Sequence, residues 1–175
     1  IIPDGKEDKT NLVNYNYSNS YVKNNYSWTN YKYCDGTDRG MTKYCTASTY
    51  GSVDNLTSLE LDDDAAFWNW GGGWRMPTSN EWEELRTKCT WIYTSLNNIN
   101  GMEVVRSNGN SIFLPIAGYR IGKDLYYASG SNTGQFGQYW SNSLSSSSYA
   151  SYMNFNSSNK NISTEKRCFG LPVRA

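Results

Sequence analysis

The sequence predicts an α+β domain of two short helices and a small antiparallel sheet joined by long ordered loops. Three observations carry that expectation: two helix signals between residues 62 and 89, an Asn-Gly hairpin signal between β-rich runs, and alternating segments late in the chain. The first helix is written in Asp62-Asp63-Asp64-Ala65-Ala66-Phe67-Trp68-Asn69-Trp70. Asp62 or Asp63 is placed to cap it, because a short carboxylate accepts orphan N–H groups and suits the positive end of the helix dipole. Gly71, Gly72 and Gly73 stop it. Pro77 bars any continuation, and Thr78 with Glu81 three residues on has capping-box spacing, so a second helix is expected from about residue 79. Trp82, Leu85 and Cys89 fall on its inner face, while Glu81, Glu83, Glu84, Arg86 and Lys88 stay solvated.

The hairpin follows. Met102-Glu103-Val104-Val105-Arg106 and Ser111-Ile112-Phe113-Leu114-Pro115 flank Asn108-Gly109, a pair that tolerates positive φ. The stretch 90–100, with Trp91, Ile92, Tyr93 and Leu96, is read as the connection leading to it. Gly118-Tyr119-Arg120 extends the strand or bends away, and Leu125-Tyr126-Tyr127 precedes a Gly-rich loop at 130–137. Beyond Tyr139-Trp140-Ser141 the chain is almost all Ser, Asn and Tyr. Within it Tyr152-Met153-Asn154-Phe155-Asn156 alternates, which places Met153 and Phe155 inward and Tyr152, Asn154 and Asn156 outward. Phe169-Gly170-Leu171-Pro172-Val173-Arg174 is the expected last strand, at an edge because of Pro172. Residues 26–175 form one domain in this reading, and residues 1–25 are an N-terminal extension or hold the first strand.

Composition narrows the function classes. Lys+Arg and Asp+Glu are both 16, so no net field draws the chain to nucleic acid or an anionic membrane. No apolar run reaches membrane-spanning length, and the first residues lack a signal-peptide pattern. Aromatics make up 15 % of the chain and stand among Ser, Asn and Gly. Recognition surfaces have that vocabulary, and so does an all-β chain with polar loops.

Four cysteines, Cys34, Cys45, Cys89 and Cys168, accompany no histidine. Zinc is not expected, because no C-x-x-C knuckle exists and histidine cannot complete a site. Two disulfides suit the even count, and three pairings exist in principle. The short loop between Cys34 and Cys45 favours a bridge there, which leaves Cys89 with Cys168. Disulfides place the chain outside the cytosol as a mature exported protein, whereas reduced structural cysteines would allow a cytosolic one.

Several blocks together resemble a known family. Asp63-Asp64-Ala65-Ala66, Trp70-Gly71-Gly72-Gly73-Trp74-Arg75-Met76-Pro77-Thr78 and Glu81-Trp82-Glu83-Glu84-Leu85 are similar to the signature of the major paralogous domain (FISUMP) family of exported proteins of gut Bacteroidetes. Cys89-Thr90-Trp91, Asn108-Gly109-Asn110-Ser111-Ile112-Phe113-Leu114-Pro115, Tyr139-Trp140-Ser141 and Gly170-Leu171-Pro172-Val173-Arg174 follow in matching order, as do Tyr31-Lys32-Tyr33-Cys34 and Thr42-Lys43-Tyr44-Cys45 upstream. The resemblance implies a C-type-lectin-like fold, in which two short helices pack on a small twisted antiparallel sheet. That branch is shared with formylglycine-generating enzymes and with the variable proteins of diversity-generating retroelements. The family's usual apolar first strand is reduced here to Leu12-Val13-Asn14-Tyr15.

No catalytic residue, metal or cofactor is expected. Absence of histidine removes Ser-His and Cys-His arrangements, and Asp62, Asp63 and Asp64 point in different directions on a helix rather than at one Ca²⁺. The Glu-Pro-Asn, Gln-Pro-Asp and Trp-Asn-Asp tripeptides of calcium-dependent lectins are also missing. Trp74, Arg75 and Trp82 are read as architectural, and Trp91 and Trp140 as core aromatics. The favoured function is a module displayed outside the cell that binds a protein or glycan through its carboxyl-terminal surface, which the retroelement resemblance would make a diversified one. Candidate contacts are Asn142, Ser145, Ser146, Ser147, Ser148, Tyr149, Tyr152, Asn154, Asn156, Asn159 and Asn161. The alternative is a structural pilus or adhesin subunit, and a third reading is an enzyme of the formylglycine-generating branch.

Overall fold

The computed structural model describes residues 25–131 and 134–175. The run Leu12-Val13-Asn14-Tyr15 lies outside the described residues. The architecture is α+β. Helix α1 (Ala65–Trp70) and helix α2 (Ser79–Lys88) precede eight strands: β1 (Thr90–Leu96), β2 (Ile99–Val105), β3 (Ser111–Pro115), β4 (Tyr119–Ile121), β5 (Asp124–Tyr126), β6 (Gly137–Ser146), β7 (Tyr149–Phe155) and β8 (Lys160–Lys166). They form three antiparallel sheets, β1-β2-β3, β4-β5 and β6-β7-β8.

Helix starts follow local chemistry. Thr78 Oγ1 accepts the Glu81 N–H at 3.1 Å and Glu81 Oε2 accepts the Thr78 N–H at 2.8 Å, the reciprocal box expected from the sequence. Arg75 grips both Glu81 oxygens, at 2.8 and 2.6 Å, and pulls that carboxyl down to about 2. At α1 the cap is Asp64 instead of Asp62 or Asp63. Its Oδ1 accepts the Ala66 and Phe67 N–H groups, and its Oδ2 accepts the Met76 N–H at 2.9 Å. One buried carboxylate thus starts the first helix and anchors the approach to the second. Asp63 is unavailable for capping because it bonds Lys32, Lys43 and Tyr44.

The strand count exceeds the expectation. Residues 90–96, read as a connection, form β1, and Asn97 and Asn98 turn it into β2 with φ of 51° and 64°. Two consecutive positive-φ residues make the kind of tight turn that Asn tolerates. The Asn108-Gly109 turn joins β2 to β3 as expected. Tyr119 bends away into a separate hairpin with β5. Residues 169–174 form no regular strand; Gly170 bridges Arg120, and Pro172 O accepts the Trp140 N–H.

The sheet β6-β7-β8 is covered on both faces. On one, Trp82, Met102, Val104, Leu114, Ile116, Tyr139, Met153 and Phe155 form a cluster shared with α2 and the β1-β2-β3 sheet. Phe155 stacks on Tyr139 at 6.0 Å, and a Cβ on Gly137 would stand 2.0 Å from its ring, so only glycine admits the strand there. On the other face Trp140 and Tyr152 meet Ala65, Ala66, Met76, Leu171 and Val173. A third cluster gathers Tyr31, Tyr33, Tyr44 and Cys168.

All four cysteines are free thiols, so neither expected bridge is formed. Cys89 packs against the first cluster and Cys168 belongs to the third, which separates that pair. Cys34 Sγ donates to Trp28 O at 2.9 Å, and Cys45 Sγ donates to Ala47 O at 3.2 Å, so each thiol of the other pair has its own acceptor.

Trp82 is 2 % exposed and its indole N–H donates to Trp140 O at 3.2 Å, tying α2 to β6. Trp82→Ala is expected to cost about 3–5 kcal/mol in chemical denaturation, from lost burial and the cavity left behind. Trp74→Ala, at a 58 % exposed position, should leave the same transition within about 0.5 kcal/mol.

Candidate functional site

The structure divides the carboxyl-terminal candidates. Asn142, Ser147, Ser148 and Tyr152 are buried; Tyr149, Asn154 and Asn156 are half-buried; Ser145, Ser146, Asn159 and Asn161 are exposed. Tyr152 is overturned as an outward residue. It shares a face with Trp140, and that face is covered by α1 and the carboxyl-terminal segment, so alternation on β7 separates two cores rather than core from solvent. Asn142 is held between loops: its N–H donates to Pro77 O and its C=O accepts the Leu59 N–H. Ser147 Oγ accepts the Thr46 N–H at 3.0 Å, and Ser147 O accepts from the buried Arg167 guanidinium. Arg167 also donates to Tyr31 Oη, Tyr44 O and Lys43 O. The run 145–148 is therefore partly a structural hairpin end rather than a free contact loop.

What remains exposed falls at opposite ends of β7. Ser145 and Ser146 precede it, whereas Asn159 and Asn161 follow the turn after it, and seven residues of strand span roughly 20 Å. Between them Asn154 Oδ1 accepts from Gln138 Nε2 at 3.3 Å and its Nδ2 donates to Asn161 Oδ1 at 3.0 Å, a cross-strand ladder that uses these groups internally. The eleven candidates do not form one surface.

A different set of recognition-type side chains lies on α1 and just after it. Trp68, Trp70 and Trp74 are 43 %, 46 % and 58 % exposed, while Trp82 and Trp140 are buried and Trp28 and Trp91 half-buried. Trp74, expected to be architectural, stands exposed, whereas Trp82 is buried and Arg75 pairs with Glu81. Only Ala65 and Ala66 of α1 enter the core, so the short helix turns its large residues outward. The presenting segment is braced: Asp64 fixes both ends, Trp68 Nε1 donates to Asp62 O, Gly71 N–H donates to Phe67 O at 2.8 Å, and Trp74 N–H to Gly71 O at 3.0 Å. Gly71, Gly72 and Gly73 all have positive φ, a path open to glycine and costly for other residues. The tryptophan signal was present in the sequence as three indoles among Asn and Gly, but helical spacing alone does not tell which way a six-residue helix faces.

No family model matches the chain, and neither a curated protein nor a solved structure matches it.

A group of titratable side chains gathers on Asp63, next to the Asp64 cap. Burial would raise the Asp63 carboxyl, but hydrogen bonds from Lys43, Tyr44 and Lys32 hold it far below the usual carboxylate range. Burial and the Asp63 carboxylate push the Tyr33 and Tyr44 phenols well up. Burial opposes the charge on Lys43, yet its bonds to Asp63 and Glu60 keep its ammonium above its ordinary value. Each shift moves a group away from neutral pH, opposite to what general acid or base work requires. Nearby, Tyr44, Met76, Trp140, Asn142 and Arg167 help line a cavity of about 40 Å³, room for water rather than a substrate. Trp140 Nε1 is buried without a protein acceptor and is suited to donate to such a water.

Two measurements check this assignment. Tyr152→Ala is expected to destabilise by about 3 kcal/mol or more as a core truncation, and Tyr149→Ala by about 1 kcal/mol or less, in parallel urea titrations. Because the Asp63 carboxyl is depressed in the folded state, its contribution is complete above the ordinary range near about 4 and disappears as pH falls below it. Asp63→Asn should lower stability at pH 7 and flatten the decline between about pH 4 and pH 2 in thermal melts.

Proposed function

We propose that the chain is a non-catalytic binding module that grips a protein or glycan ligand with the exposed tryptophans of the α1 segment. The carrying observation is that Trp68, Trp70 and Trp74 stand 43–58 % exposed on backbone pinned by Asp64, in a chain that buries or half-buries its other tryptophans. Indole rings offer large contact area with few torsions to freeze, and a braced support lowers the ordering cost of binding. A pyranose suits them through its apolar C–H face, and a peptide through its own side chains. Zero net charge removes electrostatic attraction to polyanions as the recognition principle.

Fold and location enter this reading through the resemblance. Two short helices beside small antiparallel sheets agree with a C-type-lectin-like architecture of the FISUMP type. A place outside the cell rests on the same resemblance; the four free thiols lend it no support. The exposed carboxyl-terminal positions Ser145, Ser146, Asn159 and Asn161 and the half-buried Tyr149 are left as peripheral contacts, and Tyr152 and Asn142 leave the ligand surface.

The test is a glycan array and a panel of extracellular-matrix proteins probed with the native chain and with Trp68, Trp70 and Trp74 changed singly to Ala. The expected result is a binder whose affinity drops about tenfold or more with at least one substitution, alongside unchanged melting. A ligand whose affinity survives all three substitutions would overturn the assignment.

A further inference from the structure

The β1-β2-β3 sheet has an edge that the described residues leave open. Leu96 and Ile99 close the two-residue turn at Asn97 and Asn98, and strand pairing runs from there without a bulge to Thr90 and Val105. In a hairpin of this type the closing pair exchanges both of its hydrogen bonds. Alternation then directs the backbone groups of Thr94, Ile92 and Thr90 at β2, and those of Trp91, Tyr93 and Ser95 away from it. Among the described residues, no hydrogen bond uses those outward groups.

Among the described residues, other edges carry protection that β1 lacks. The outer side of β6 is occupied, since Trp140 and Leu144 N–H groups donate to Pro172 and Thr57 carbonyls and Asn142 O accepts from Leu59. β8 carries Lys160, Glu165 and Lys166, and packs against α2. β3 ends in Pro115. β1 is Thr-Trp-Ile-Tyr-Thr-Ser-Leu, with no charge and no proline. Long, uncharged, unbulged edges recruit another strand, and natural chains normally guard against this. The exposed apolar side chains gather at the same place: Ile92 at 46 %, Tyr93 at 42 %, Leu96 at 52 % and Ile99 at 46 %.

We infer that β1 pairs with β1 of a second copy of this chain, antiparallel about a two-fold axis at Tyr93. The register is self-complementary. Tyr93 faces Tyr93 of the second copy, Trp91 faces Ser95, Ile92 faces Thr94 and Thr90 faces Leu96, so no charge meets its like. The outward residues Trp91, Tyr93 and Ser95 are those brought into hydrogen-bonded positions, which forms about six bonds across the axis. The result is a continuous six-stranded sheet in an isologous dimer. A net charge of zero leaves no long-range repulsion between copies.

Sedimentation equilibrium of the full chain, from about 10 µM to about 500 µM, tests this. A mass rising from 19.9 kDa toward twice that value is expected, with slowed exchange of the Trp91, Tyr93 and Ser95 amides as concentration rises. Ser95→Pro removes an outward N–H while sparing the β1–β2 ladder, and Ile92→Lys places a charge on the edge. Each should raise the dimer dissociation constant about tenfold or more with the melting transition retained. A chain monomeric throughout the range overturns the inference. So does a dimer that persists in Ser95→Pro with its fold intact, or one whose three edge amides exchange as fast as in the monomer.

Discussion

Burial of the β6-β7-β8 sheet on both faces is the constraint on which the rest of the structure depends. A strand wrapped on two sides must carry large residues at consecutive positions, and Tyr139 with Trp140, and Tyr152 with Met153, do so. Each face then requires its own cover. Trp82 of α2 and the β1-β2-β3 sheet close one, and Ala65, Ala66, Met76, Leu171 and Val173 close the other. The small alanines let α1 sit close to the sheet, and its bulky residues are consequently turned to solvent. The exposed tryptophans and the buried tyrosine are two results of one packing solution.

Charge is deployed for architecture in the same economical way. Asp64 serves two helix-terminal tasks with one carboxylate, Glu81 joins the capping box to Arg75, and Asp63 collects two lysines and Tyr44. Arg167 is buried against backbone carbonyls and the Tyr31 hydroxyl, with the Tyr31 and Tyr44 rings beneath its guanidinium. Such groups are costly to leave unpaired, and their satisfaction specifies one arrangement of the loops at 28–63 around the sheet. Long irregular segments are thereby held without disulfides.

Contact potential consequently resides outside the central sheet. The α1 segment presents aromatic area on braced backbone, and the β1 hairpin presents apolar side chains with backbone groups that no described residue pairs. The two differ in chemistry: in the proposed reading one offers indole rings to a ligand, the other a ladder to an identical strand. A chain bearing both could display its ligand surface in pairs, since an isologous dimer repeats each site about its axis.

Local signals were legible in the sequence wherever neighbouring residues settle the outcome. Thr78 and Glu81 cap α2 through each other, Gly71 to Gly73 end α1, Asn108-Gly109 turns β2 into β3, and Met153 and Phe155 point inward, because each depends on spacing within a few residues. Trp82 was legible as core for the same reason. Choices among equivalent neighbours were not legible. Which of three consecutive aspartates caps α1 was decided by Lys32, Lys43 and Tyr44 arriving from 19 to 31 residues away, which claimed Asp63, and by Met76, which chose Asp64. Tyr152 was read as outward because period two states only that it opposes Met153; a second core on the far side is a tertiary fact. Trp74 turned outward and the thiols stayed apart on the same ground: sequence sets what a side chain can do, and only the packing of distant segments determines what it meets.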